Sequence, residues 1–387
     1  MKRLGLFWLI LLLVIAAFYM EPVLFPPKLE VKENSDQQLS NQMTTWKYQE
    51  LKATGFSTYI GKPIEQLEKD FGPSYDRLTS GFGFETRYYE NKASHLTFEV
   101  NVQDSMVTTV KVLQTGPADI TPFYLGMTMQ DLTKLTTIYT NFTFEYHDTE
   151  VGIELMEEDM NYRPLIAFDN DTFAILFFDQ TTNGLFSVVY LDKDSLLKLL
   201  PYQVFGEGLP HYEADKSADW ESINRGKERK STTLLNMLRR EDELPIYNQP
   251  LAFQNHSRLL LHDFLTKPEE ILSDERMADW QKSLGSGQTI TKFSLTNDEL
   301  EKLISKQKLE NTSGLFIHPA IDATFSFLYW YSDPYNHDRF MDPGTDSLGI
   351  AFSKENMLVL LQEENGESSD SSDRRAVSTG GSMPPSR

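Results

Sequence analysis

Two stretches set 65 residues apart (Gly61 to Gly126) carry the same opening. Ile60-Gly61-Lys62-Pro63-Ile64-Glu65-Gln66-Leu67-Glu68-Lys69 aligns with Leu125-Gly126-Met127-Thr128-Met129-Gln130-Asp131-Leu132-Thr133-Lys134, with Gly, Leu and Lys in register. An internal repeat constrains a chain strongly, because one local solution must serve twice. Both copies predict a helix start. Pro63 and Thr128 stand where a first turn or a cap belongs, and Ile64/Leu67 and Met129/Leu132 are spaced i, i+3. Strand-like text follows each opening, at 86–89, 95–102 and 106–113, then at 142–146, 152–156, 165–168, 173–178 and 185–191. Asp104-Ser105 and Asn183-Gly184 have the composition of hairpin turns. The expectation is an α+β domain over 46–205: a helix followed by an antiparallel meander, twice.

A polar stretch at 206–230 has little apolar periodicity and reads as a linker. Beyond it, 231–364 predicts helices first and a hairpin last. Leu234, Leu235 and Leu238 form one helical stripe, and Leu259, Leu260, Phe264 and Leu265 another. Thr296-Asn297-Asp298-Glu299 is a capping box opening a third helix. The aromatic run 323–331 fits either period. Apolar runs at 347–352 and 357–362, joined by Ser353-Lys354-Glu355-Asn356, read as a hairpin, so an α/β sandwich is expected.

Near the N-terminus, Lys2 and Arg3 precede an unbroken apolar run over 4–20 (LGLFWLILLLVIAAFYM). At about 1.5 Å per residue that run crosses most of a roughly 30 Å hydrocarbon layer. The positive N-terminal flank places that end in the cytoplasm and the rest outside. Residues 1–22 are therefore expected to be one transmembrane helix, with a cleaved signal peptide as the alternative. Residues 23–45 read as a polar stalk and 365–387 as a disordered Ser/Gly/Pro-rich tail. There are 57 acidic against 36 basic residues, a formal charge of -21. That balance argues against nucleic acid as a partner. Cysteine is absent, so neither disulfides nor a thiolate site can exist.

Three segments of the second region resemble a known family. LLNMLRREDELPIY (234–247), LAFQNHSRLLLHDF (251–264) and WYSDPYNHDRFMDPGTDSLGIAF (330–352) are similar to the CAP superfamily, the relatives of cysteine-rich secretory proteins, antigen 5 and pathogenesis-related proteins. The likeness lies in Asn236, Arg239 and the His256-Ser257 pair, and above all in Pro334…His337-x-Arg339-Phe340-Met341…Gly349-Ile350. The paired Ile/Leu-Gly openings resemble the CAP-associated domain of Firmicute membrane-anchored proteins. The resemblance implies a CAP-like α/β/α sandwich at 231–364 behind a duplicated helix-plus-antiparallel-sheet domain, on the outer face of a Gram-positive cell.

The family's cleft often carries two His and two Glu, and binds a divalent metal in some members. Here only His337 matches. Gly314-Leu315-Phe316 stands where one acid belongs, Phe327-Leu328-Tyr329 where the other does, and Thr266-Lys267-Pro268-Glu269 where the second histidine does. A degenerate cleft is expected, with no cofactor, binding a cell-envelope component or surface protein without catalysis. The rival is a hydrolase of envelope polymers or peptides using His337 as base, metal-assisted or not, with Asp322, Asp333 or Asp338 as its carboxylate. A lipid-binding module is a third reading. His318 and Asp322 are i, i+4 and with His337 would make a metal set; the plainer reading is a capped helix. Phe325, Tyr329, Trp330 and Tyr335 form an aromatic cluster that is either core packing or a ligand groove. The acidic run Glu157-Glu158-Asp159 reads as a solvated face.

Overall fold

The computed structural model describes residues 48–91, 96–114, 120–179, 181–285 and 291–363. The expected anchor (1–22), stalk (23–45) and tail (365–387) lie outside them, and among the described residues no helix is long and apolar enough to cross a membrane. The N-terminal half contains β1 (Glu50–Leu51), α1 (Ile64–Phe71), β2 (Asp76–Thr79), β3 (Glu85–Asn91), β4 (Leu96–Gln103), β5 (Met106–Gln114) and α2 (Met129–Leu135). It continues with β6 (Asn141–Tyr146), β7 (Thr149–Glu154), α3 (Glu157–Tyr162), β8 (Leu165–Phe168), β9 (Thr172–Phe178), β10 (Leu185–Asp192), α4 (Lys193–Leu199) and β11 (Gln203–Phe205).

The repeat is visible in backbone geometry. Gly61 and Gly126 both take a positive φ, 74° and 80°, the left-handed region that a Cβ disfavours. Gly61 N–H donates to Val107 O (2.8 Å) and Val107 N–H to Lys62 O (2.8 Å). Gly126 N–H donates to Leu185 O (2.7 Å) and Leu185 N–H to Met127 O (2.8 Å). Each glycine thus clips the start of its helix to the last strand of its own copy. Pro63 opens α1, where a missing N–H costs little; Thr128 instead caps α2 in a reciprocal box with Asp131.

The two copies do not form separate meanders. Their strands merge into one eight-stranded sheet of order β1-β8-β9-β10-β5-β4-β3-β2. The last strands of the copies, β5 and β10, pair antiparallel at its centre, Val110 opposite Tyr190. That pairing relates the halves by an approximate two-fold axis. The hairpin β6–β7 leaves the sheet and pairs with β11 in a separate three-stranded sheet. Alternation then divides the faces. Phe98, Val100, Val112, Ile166, Leu176 and Val188 pack under Ile64, Leu67 and Leu132 of the repeat helices. Leu165, Ile175, Phe177 and Val189 face the other way, toward the C-terminal half.

The C-terminal half contains α5 (Trp220–Glu241), α6 (Leu251–Thr266), α7 (Asp274–Leu284), β12 (Phe293–Ser294), α8 (Asn297–Ser305), β13 (Thr312–His318), α9 (Ala323–Tyr331), α10 (Pro334–Met341), β14 (Thr345–Ser353) and β15 (Asn356–Glu363). Its sheet, β12-β13-β15-β14, is antiparallel throughout. Phe316, Leu358 and Leu360 meet α6, α7 and α8 through Leu260, Phe264, Trp280 and Leu303. Leu315, Ile317, Leu348 and Val359 meet α5, α9 and α10 on the opposite face. This is the expected three-layer sandwich. The core on that second face is continuous with Leu165, Ile175 and Phe177 of the large sheet, so the two halves share one hydrophobic core.

Helix α5 begins at Trp220, inside the stretch read as a linker. Asp219 caps it by accepting from Ser222 N–H at 3.2 Å. Its buried face is built from Ile223, Gly226, Lys227 and Ser231 before the leucines begin, which is why the text looked polar. Gly226 lets the helix lie against Leu78 of β2. Lys227 buries its stem and places its ammonium 4.8 Å from the Phe82 ring. The ambiguous 323–331 run is helix α9. Asp159 is buried in an ion pair with Arg163 at 3.0 Å, so only its neighbours Glu157 and Glu158 are exposed as expected.

Candidate functional site

Helix α10 presents two different faces. Asp333 caps it by accepting from Asn336 N–H at 2.9 Å, and Pro334 fills its first turn. Tyr335 and Arg339 are i, i+4 and share a side, while His337 sits two residues from each, about 200° round the helix. Tyr335 and Arg339 line an open cleft of about 620 Å³ with Asn297, Glu301 and Ser305 of α8, the start of β13 and Asp342. Tyr335 is 59% exposed, and its hydroxyl accepts from Asn297 Nδ2 at 3.2 Å. Arg339 donates to Gly314 O at 2.6 Å, and its guanidinium lies 5.6 Å from the Tyr335 ring.

His337 points the other way and is only 4% exposed. Its Nε2 lies 3.4 Å from Asp179 Oδ2 and its Nδ1 3.7 Å from the exposed Asp338. Neither ring nitrogen has an aligned hydrogen-bond partner among the described residues. The ring sits edge-on to Tyr331, centroids 4.6 Å apart. Asp179 follows β9, and its Oδ1 accepts from Thr181 and Thr182 N–H at 2.7 and 2.8 Å. The Tyr331 hydroxyl reaches Asp179 Oδ2 at 3.3 Å and Asp242 Oδ2 at 3.1 Å. Asp242, exposed, ends α5. One donor atom from each of Asp179, Asp242 and His337 lies within 4.8 Å of the others.

The electrostatics follow from that arrangement. Burial disfavours charge on His337, but Asp179 first, then Asp242 and Asp338, outweigh it and raise its pKa. Burial also opposes ionisation of Asp179, yet His337 and the two threonine N–H groups hold its pKa down at about 2. Burial and the two carboxylates push Tyr331 well up, so it stays a neutral donor.

The other residues singled out by sequence fall elsewhere. His318 ends β13, and both its ring nitrogens are engaged, with Asn356 Oδ1 at 3.0 Å and Ser283 O at 3.1 Å. Asp322 caps α9 and takes Lys111 Nζ at 2.6 Å and Asn101 Nδ2 at 2.7 Å. A strand end and a helix cap do not share a helical face, so the set His318, Asp322 and His337 does not assemble. Phe325 packs on Phe177, and Trp330 on Phe327 and Phe340, both buried. Tyr329 has the Arg163 guanidinium 4.3 Å and the Lys292 amine 4.1 Å from its ring. Of the four aromatics only Tyr335 reaches the open cleft.

Asp179 and Asp242 were not singled out by sequence. Their signals are positional: Asp179 is the first polar residue after a fully buried strand, and Asp242 closes the α5 stripe. Leu315, Phe327 and Leu328, in the two segments where the resemblance would place acids, are core residues. Arg239, part of the resemblance, is a buried staple donating to the carbonyls of Pro245, Phe340 and Thr345.

Residues 60–202 match the family model described as CAP-associated N-terminal. They form a CAP-associated domain. Two solved structures share the fold across both halves. One is an extracellular protein containing an SCP domain from Bacillus anthracis, at TM-score 0.59 and 18% identity, covering 86% of this chain and 99% of that one. The other is a cysteine-rich secretory protein from Staphylococcus aureus, at TM-score 0.59 and 16% identity, covering 81% and 95%. In sequence, the chain is 24% identical over 234 residues to the uncharacterized membrane protein YlbC of Bacillus subtilis, spanning 60% of this chain and 67% of that protein. The CAP-associated domain is therefore followed by a CAP fold.

Proposed function

We propose that this chain is a membrane-anchored, non-catalytic binding module on the outside of a bacterial cell. In this reading the N-terminal residues anchor the chain, and the CAP fold binds an envelope component through its open cleft. One observation carries the reading: the family's cleft histidine is buried against Asp179 of the CAP-associated domain, while the open cleft lies on the opposite side of the same helix. A substrate in that cleft would not meet the His337 imidazole as a base. The cleft volume falls in the range of ligand sites. Its lining mixes hydroxyls, carboxamide, carboxylates and Arg339 with the apolar Leu300, Ile304 and Leu309 and one exposed tyrosine face, a mixture that suits the polar edges and apolar faces of a sugar chain such as a wall glycan. The space beside Phe325 and Tyr329, about 10 Å³, is too small for a lipid chain.

The test is sedimentation of the detergent-solubilised full chain with purified cell-wall sacculi. Binding should fall at least about tenfold in Tyr335→Ala, as for truncation of an aromatic anchor, and be unchanged in His337→Gln. The sacculi should release no soluble fragments. Release of fragments that His337→Gln abolishes would instead establish the hydrolase, and unchanged binding by Tyr335→Ala would remove the cleft from the argument.

A further inference from the structure

We propose that Asp179, Asp242 and His337 form a divalent-cation site, suited to zinc, that ties the CAP-associated domain to the CAP fold. It does not depend on what the open cleft binds. The first observation is the imidazole itself. It is buried, and neither nitrogen makes a well-formed hydrogen bond among the described residues. The nearest groups are carboxylate oxygens of Asp179 at 3.4 Å and Asp338 at 3.7 Å, so a bound ion would complete contacts the protein leaves loose. The second is spacing. Two ligands about 2.1 Å from a tetrahedral ion stand about 3.4 Å apart. That is the separation of His337 Nε2 from Asp179 Oδ2. With Asp242 included, the donors stay within 4.8 Å of one another, a gap that a small side-chain shift closes.

The surroundings fit a ligand set. Thr181 and Thr182 N–H hold Asp179 Oδ1, which orients the carboxylate and leaves Oδ2 facing the histidine; outer hydrogen bonds of this kind commonly position metal ligands. The Tyr331 hydroxyl lies on both carboxylates and supplies another outer contact. Asp242 is exposed, so an ion can enter from solvent and keep a water as its fourth ligand. One imidazole and two carboxylates suit zinc or another borderline divalent ion, whereas calcium and magnesium favour an all-oxygen shell. Asp179 belongs to the CAP-associated domain, Asp242 to α5 and His337 to α10, so a bound ion would tie the two halves together.

The test uses the detergent-solubilised full chain, stripped with EDTA and titrated with zinc chloride by calorimetry. One ion per chain should bind, and the thermal midpoint should rise with zinc. Asp242→Asn, a change at an exposed helix end, should fold normally and weaken binding by at least about 10–100-fold, the loss typical of even outer partners of a ligand. Cobalt added in place of zinc should give the visible absorption of a tetrahedral ion, altered by His337→Gln. No zinc uptake, or uptake that both variants leave unchanged, would overturn the site. Neither variant touches the cleft of Tyr335, so glycan binding in each separates failure of this site from failure of the cleft reading.

Discussion

The imidazole of His337 and the carboxylate of Asp179 set opposite limits on stability in the absence of metal. For His337 the folded pKa is raised above the usual 6.5, so its contribution is complete below 6.5 and is lost as pH rises through the folded value. For Asp179 the folded pKa is about 2 against the usual 3.8, so its contribution is present above 3.8 and is lost as pH falls toward 2. Between those limits Asp179 should contribute about 2 kcal/mol. In EDTA, the urea midpoint of the wild type should peak inside this window and drop on both sides, and Asp179→Asn should flatten the profile. A profile that Asp179→Asn leaves as steep as before would mean that other groups set it. At this scale the sequence pointed to one member of the cluster. His337 stands in a motif, whereas its partners arrive from a strand end and a helix end far away in the chain. Of the acids nearest in sequence, Asp333 caps its own helix and Asp322 is taken by Lys111, whereas Asp338, though exposed, keeps a carboxylate oxygen 3.7 Å from His337 Nδ1.

Elements with local chemistry were legible and those built on buried polar groups were not. The box Thr296–Glu299 caps α8 as expected, and the Asp104-Ser105 and Asn183 turns adopt the positive φ that tight hairpins require. Helix α5 was missed over its first turns because its inward face carries glycine, serine and lysine. The repeat gives a controlled test of element geometry. A Cβ on Gly61 or Gly126 would meet nothing within 4 Å, so substitution there isolates backbone strain from packing. Gly61→Ala and Gly126→Ala should each cost about 1–2 kcal/mol, measured by urea unfolding, and should cost alike because each glycine makes the same clip. Unequal losses would show that the two copies no longer share one solution.

Across the whole molecule, the face of the large sheet that meets the CAP fold is divided. Its β8–β10 portion is apolar and runs into the shared core. Its β4–β5 portion is polar: Lys111, 1% exposed, bonds Asp322 at 2.6 Å and Glu99 at 3.1 Å. Domains in one chain usually move relative to each other unless a large apolar interface joins them, and a polar linker read from sequence implies such freedom. Here α5 fills much of that stretch, and apolar residues from both halves form one cluster. A buried cation between two buried acids makes the coupling measurable, because removing it strands the carboxylates. Burial and Asp322 raise the Glu99 pKa even with Lys111 present to oppose them. Lys111→Met should therefore destabilise by about 3–5 kcal/mol, and adding Asp322→Asn should restore part of the loss. Since the core is continuous, the loss should appear as a lower midpoint of a single urea transition followed by tryptophan fluorescence and circular dichroism. Two separated transitions would show that the CAP-associated domain and the CAP fold unfold independently, and that the triad holds only one of them.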